Sequence, residues 1–223
     1  MTQDLLEVFQ SMDFSNKDEG ITLNDRVLII DGMNTFIRSF AAIPTMDENG
    51  NHIGGVTGFL KSVGYVIRKF KPSRVYVIFD GKGGSKRRRD IYPDYKSGRK
   101  PLTRLNRTYD MTTEQDEQDL MRYELVIVAK ALMKLPITTI TLDYVEADDI
   151  ISYIAQHVVE NGGESIIYST DKDFLQLVGD GIKVWNPVRK KTYIPETVLE
   201  DYTIHPNNFL LYRALTGDIS DNL

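Results

Sequence analysis

The chain has no cysteine, and its 223 residues include three histidines and a single tryptophan. Without thiols, disulfide scaffolds and thiolate zinc sites are excluded, and a reducing compartment suits the protein. His52, His157 and His205 are too widely spaced for a zinc pattern. No apolar run reaches the roughly 20 residues a membrane-spanning helix needs, and the N-terminus lacks a basic-then-apolar signal. A cytoplasmic protein with no membrane partner is therefore expected. At 41% apolar composition the chain can bury one full α/β core, and one domain is the default.

What the chain has is acid in a recurring place. Val27, Leu28, Ile29 and Ile30 lead to Asp31, and Val75 to Phe79 lead to Asp80. Ile137 to Leu142 lead to Asp143 and the acidic stretch beyond it, and Ser165 to Thr170 lead to Asp171 and Asp173. Continuous apolar runs separated by helical segments predict a parallel sheet covered on both faces. Ligands of such sheets sit outside the carboxyl ends of the strands, so four strands ending in acid would converge on one spot suited to divalent metal. The densest group is Glu146, Asp148 and Asp149. The spacing of Ile150, Ile151, Ile154, Ala155, Val158 and Val159 places these acids in the first turn of an amphipathic helix. The plainer reading, acids serving the helix dipole and cap, stands beside the metal reading for this motif taken alone.

Positive charge is concentrated instead. Residues 82–107 carry ten Lys or Arg against Asp90 and Asp94, a local balance of +8 in a chain of net charge −5. Interleaved with Tyr92 and Tyr95, and followed by Tyr109, this segment suits a phosphate backbone and rings that stack on unpaired bases; a solvated charged face is the alternative. Roughly fifty residues separate the second and third strands, too many for a simple crossover, and predict a helical insertion beside the acidic edge. Gly54, Gly55 and Gly58 read equally well as backbone approaching a phosphate and as tight packing. Leu5, Leu6, Val8, Phe9 and Met12 form a short helical stripe expected to rest on the domain. Lys183 to Asn186 and Thr192 to Ile194 predict a hairpin with Trp185 in the core, and Pro206 to Thr216 a helix that delivers Gly217-Asp218 to the acidic edge.

Six ordered motifs carry a family resemblance. They are Asp31-Gly32 with Arg38; Phe79-Asp80; Tyr92 to Arg99; Val145 to Asp149; Ser169 to Phe174; and Gly217 to Asn222. Together, from about Val27 to Leu223, the chain resembles the 5′ nuclease family: flap endonucleases, phage 5′ to 3′ exonucleases including phage ribonuclease H, and the 5′ nuclease domain of bacterial DNA polymerase I. The resemblance implies a PIN-like α/β domain over residues 27–223, a mostly parallel twisted sheet flanked by helices, with a basic helical arch at about 82–120. Residues 1–26 would be an extension, and the chain would end before the family's helix-hairpin-helix is complete.

The same resemblance implies two or more Mg²⁺ ions, with Mn²⁺ as the alternative. Asp31, Asp80, Glu146, Asp148 and Asp171 would surround the first, and Asp149, Asp173, Asp218 and Asp221 would hold or orient the second. Lys96 and Arg99 would stabilise charge on the scissile phosphate, and Tyr95 would stack on the terminal base. Arg38, Gly54, Gly58 and Arg88 are the further nucleic-acid contacts it suggests. The expected activity is hydrolysis of phosphodiesters in branched, flapped or primed DNA or an RNA/DNA hybrid, in replication primer removal or repair, by a monomer working beside replication proteins. A non-catalytic nucleic-acid-binding module on the same fold is the competing reading, and a small-molecule phosphohydrolase is disfavoured by the basic insertion.

Overall fold

The computed structural model describes residues 25–97, Asn106 and 114–217. The N-terminal stripe, Arg99, Asp218 and Asp221 lie outside these residues.

Six strands form one sheet in the order β3-β2-β1-β4-β5-β6. They are β1 (Arg26–Asp31), β2 (Arg74–Asp80), β3 (Thr138–Leu142), β4 (Glu164–Tyr168), β5 (Ile182–Asn186) and β6 (Lys191–Tyr193). The first five in this order run parallel, and β6 turns back on β5 as the expected hairpin. Sequence order leaves β1 toward β2 and β3 on one side, then resumes with β4 and β5 on the other. The switch of direction falls between β1 and β4, where open α/β sheets form a crevice at the strand ends.

The period of two along each strand explains why these runs are apolar throughout. Leu28 and Ile30 of β1 enter one core, with Val75 and Val77 of β2 and Ile166 and Tyr168 of β4. Val27 and Ile29 enter the other core, with Ile78 and Ile167. The first core is covered by α1 (Gly32–Ala42), α2 (Gly54–Phe70) and α4 (Glu114–Leu132). The second is covered by α5 (Ala147–Glu160), α6 (Pro195–Tyr202) and Phe209, the first residue of α7 (Phe209–Thr216). Trp185 is 4% exposed in the first core, as its sequence context suggested.

Two local expectations are revised. β3 is an edge strand on which only Ile140 is half-buried, so its three threonines and Leu142 are exposed instead of filling a doubly covered position. The C-terminal helix begins as a 3₁₀ turn at Pro206–Asn208, where His205 caps the turn through Nδ1, before α7 proper.

Candidate active site

The acids expected at the sheet edge fall into an inner and an outer group. Asp31 ends β1 and is 6% exposed. One of its oxygens caps α1 by accepting from the Asn34 amide at 3.0 Å, and the other accepts from Ser169 Oγ at 2.9 Å. The same serine hydroxyl accepts from the Asp171 amide at 3.1 Å, so the end of β4 is tied to the end of β1. Asn34 and Thr170 reinforce the tie through Asn34 Nδ2 donating to Thr170 Oγ1 at 2.7 Å. Asp80 ends β2 and accepts from the Ala147 amide at 2.8 Å, holding the start of α5 against that strand.

Asp148, in the first turn of α5, feels this company. Burial, followed by the charges of Asp31 and Asp171, pushes its carboxyl up to about 7. Burial, partly offset by the bonds from Asn34 and Ser169 and reinforced by Asp171 and Asp80, pushes Asp31 up to about 6. Four carboxylates from four separate elements thus crowd the crevice, and Lys96 offsets part of the charge that Asp148 feels. Among the described residues no three of them stand at the separations of an assembled ligand set.

The outer acids carry protein cations. Glu146 is 4% exposed and makes no cap bond to α5. Its oxygens instead receive Lys96 Nζ at 2.8 Å, Arg88 Nη1 at 2.6 Å and the Tyr95 hydroxyl at 3.2 Å. Arg88 also grips Asp149 in a fork, at 2.8 and 2.7 Å to its two oxygens. Its guanidinium is held above its ordinary range, chiefly by that bond to Asp149. Burial opposes the charge on Lys96, but its bonds to Glu146 and Tyr95 outweigh burial and raise it. Asp173 accepts from Arg213 Nε of α7 at 2.8 Å. Lys96 sits at a positive φ of 60°, a left-handed turn conformation.

The basic segment begins with α3 (Lys86–Ile91), none of whose residues is buried. Asp143, which ends the third apolar run, is not in the crevice: it accepts from the Lys82 amide at 3.1 Å, and α5 supplies the acids in its place. Arg38 donates to the Tyr168 hydroxyl at 3.0 Å and leaves Nη1 buried without a partner. It lines two neighbouring clefts of about 450 and 460 Å³. The first also holds Thr170, Lys172 and Arg189, and the second Lys61, Tyr65 and Lys190. Gly54 and Gly58 are both buried and serve close packing: a Cβ on Gly54 would lie 1.8 Å from the Ile43 carbonyl, and one on Gly58 would lie 2.7 Å from Ser39 Cβ.

Sequence reasoning passed over Ser169, Asn34 and Arg213, which position Asp31, Thr170 and Asp173. Ser169 and Asn34 are short polar residues next to strand-end acids, a legible signal for capping and turn bonds. Arg213 has none, since it meets Asp173 from a distant helix.

The raised carboxyls have a consequence for stability. Asp31 and Asp148 hold protons in the fold at pH values where the unfolded chain, near 3.8, has released them. Their contribution therefore favours folding at low pH and is lost as pH rises through about 6 and 7. In chelator, the Tm difference between Asp148→Asn and the parent should widen in favour of the variant from pH 5 to pH 7.5, measured by thermal denaturation. A constant difference would show that Asp148 is ionised throughout.

The profile of the 5′-3′ exonuclease N-terminal resolvase-like domain matches residues 26–203. A 5′-3′ exonuclease of Aquifex aeolicus is 31% identical over 196 residues, 87% of this chain and 62% of the relative. Flap endonuclease Xni of Shewanella denitrificans is 32% identical over 198 residues, 88% of this chain and 70% of the relative. The chain thus spans a little under two thirds of the length of the Aquifex protein. Among solved structures, bacteriophage T5 5′-exonuclease with bound zinc has a TM-score of 0.71 at 20% identity, covering 88% of this chain and 68% of that one, a likeness of fold. Motifs, sheet order and relatives agree, and the chain belongs to the 5′-3′ exonuclease family through its N-terminal resolvase-like domain.

Proposed function

We propose that this chain is a metal-dependent 5′ nuclease that hydrolyses phosphodiesters near the 5′ end or junction of flapped, nicked or primed DNA. The observation that carries the reading is the crowding of Asp31, Asp80, Asp148 and Asp171 at the sheet's switch point, beneath a basic segment that already reaches into the site. The donor set fits a hard divalent cation: every candidate ligand is a carboxylate, and the raised Asp31 and Asp148 are those a cation would relieve. Mg²⁺ is the ion proposed, with Mn²⁺ as the alternative, and two ions are accommodated if Glu146, Asp149 and Asp173 exchange their protein cations for metal. Bound there, such a pair would supply an activated water and charge neutralisation at the leaving oxygen.

The protein's own groups do the rest. Ser169 orients the Asp31 carboxylate and holds the Asp171 backbone, the Asp173 amide holds the Asp171 carboxylate, and the start of α5 holds Asp80, so three of the inner acids are oriented by the protein itself. Lys96 and Arg88, once released from Glu146, are cations within reach of a phosphate entering the crevice, and Tyr95 travels with them. Arg99 is proposed to join them from the arch. Arg38, which lines both basic clefts, is proposed as a further phosphate contact. Primer removal or repair, RNA/DNA hybrids among the substrates, and a monomer working with replication proteins complete the proposal. Asp218 and Asp221 belong to it as second-ion residues on the family resemblance.

The test is cleavage of 5′-labelled flap, nicked and RNA-primed duplexes with Mg²⁺ or with chelator. Short 5′ products that require metal are expected from at least the flap substrate. Tight binding with no metal-dependent product would establish the binding-module reading instead.

A further inference from the structure

The turn between β3 and α5 carries a side chain that its backbone does not suit. Tyr144 sits at a φ of 65°, in the left-handed region that a residue with a Cβ enters only under strain. The other non-glycine residues found there among the described ones are Lys71, Lys96, Lys190 and Thr203, so Tyr144 is the single aromatic. Glycine would turn the chain here without strain. Burial does not account for the tyrosine either, because it is 58% exposed.

Backbone and glycine contacts hold this turn in place. The Tyr144 amide donates to the Lys82 carbonyl at 2.9 Å, and the Asp143 carboxylate accepts from the Lys82 amide at 3.1 Å. These bonds clamp the turn to the start of the basic segment, where a Cβ on Gly83 would meet Tyr144 Cδ1 at 3.2 Å. Lys86, exposed at the start of α3, brings its Nζ to 5.5 Å from the centre of the Tyr144 ring. Two positions further along both segments, Arg88 meets Glu146. An exposed ring and an ammonium therefore stand beside the outer acids, on chain that is already fixed. A cation over an exposed ring contributes too little to offset the strain of an aromatic residue in this conformation. Strain of this kind, at the rim of a site, points to a ligand that uses the side chain.

We infer that Tyr144 and Lys86 form a nucleotide subsite on the β3 flank of the crevice, with an unpaired base of the 5′ strand on the ring and its phosphate on the ammonium. Stacking needs a free face of the base, which a nucleotide inside a closed duplex does not offer. The subsite therefore favours a substrate with a single-stranded arm over a nicked duplex. Its assignment to the 5′ strand rests on the nuclease reading; its capture of an unpaired base needs no cleavage.

The experiment compares the parent protein with Tyr144→Phe, Tyr144→Leu, Tyr144→Gly and Lys86→Gln. In chelator, binding of a fluorescein-labelled oligothymidylate is followed by anisotropy at several salt concentrations. The Leu and Gly variants should bind about tenfold more weakly, and the Phe variant within about twofold of the parent. Lys86→Gln should bind more weakly with a salt slope shallower by about 0.7, whereas the Tyr144 variants keep the parent slope. Tyr144→Gly should raise Tm by about 2 °C as the strain is released, which separates lost affinity from lost structure. With Mg²⁺, Tyr144→Leu should raise KM about tenfold for a 5′-flap duplex and leave KM for a nicked duplex within about twofold. Parent-like oligonucleotide binding by Tyr144→Leu would overturn the inference, as would a fall in Tm as the sole effect of Tyr144→Gly. If the parent cleaves nothing but the anisotropy pattern holds, the nuclease reading fails and the subsite stands. If the parent cleaves the flap and Tyr144→Leu matches it in affinity and KM, the subsite fails and the nuclease reading stands.

Discussion

Asp171→Ala should abolish metal-dependent cleavage of a 5′-flap substrate, by a factor of about 10³ or more, equivalent to roughly 4 kcal/mol of transition-state stabilisation, while binding of the uncleaved substrate stays within a few-fold. Asp171 stands where β4 meets β1, its amide fixed by Ser169 and its carboxylate felt by both Asp31 and Asp148. No neighbouring side chain can take over from that direction. Affinity is expected to survive because the cations of the neighbouring cleft, Arg38, Lys172 and Arg189, are left in place. A companion substitution separates charge from structure. Asp171→Asn retains an oxygen for the bond that the Asp173 amide now donates at 2.8 Å, yet deletes one of the crowded charges. In chelator it should raise Tm slightly, a gain of stability bought by loss of function. Wild-type cleavage by Asp171→Ala would remove this residue from the site.

Gly54→Ala should be among the most damaging small substitutions in the described structure for folding. The added methyl carbon would lie 1.8 Å from the Ile43 carbonyl and 2.6 Å from His52 Nε2. The first is backbone and the second belongs to a fully buried ring, so neither yields cheaply. A loss of about 3 kcal/mol, or roughly 6–12 °C in Tm for a domain of this size, is expected by thermal denaturation. The measurement also separates the two readings of this glycine. If Gly54 serves to admit a phosphate, Tm would hold and KM for nucleic acid would rise. If it serves packing, as the close approach of α1 and α2 argues, Tm falls and the protein that remains folded binds normally.

The residues that disclosed the fold are those whose role is set by their immediate neighbours in the chain. Val27 to Ile30 could be read as a strand buried on both faces because alternate side chains do enter two different cores. Asp31, Asp80 and Asp171 could be read as convergent because strand ends in a parallel sheet share an edge. Spacing puts Glu146, Asp148 and Asp149 at the start of a helix, and Glu146 proves to be bonded to Arg88 and Lys96 instead of capping that helix through its side chain. Where the reading fell short, the determinant was distant. β3 has the composition of a strand, but its position at the sheet edge depends on the order of the other five. His52 carries no recognisable pattern because its partners, Glu124 and Asn106, are brought to it only by the folded helices. Gly54 was ambiguous because packing and phosphate approach both require a missing side chain, and only the neighbouring carbonyl distinguishes them. Arg213 meets Asp173 across a gap of forty positions that no local rule spans.

The bond from Ser169 to Asp31 closes a loop of 138 positions. Because β4 must insert beside β1 before Asp171 faces the other inner acids, a chain still emerging from the ribosome presents Asp31, Asp80 and Asp148 without the fourth that closes the crevice. Hydrolytic competence on this scheme is acquired late and all at once, when the second half of the sheet docks. Fragments that end before β4 would carry Asp31, Asp80 and Asp148 but not Asp171, and none of the danger to the nucleic acids around them.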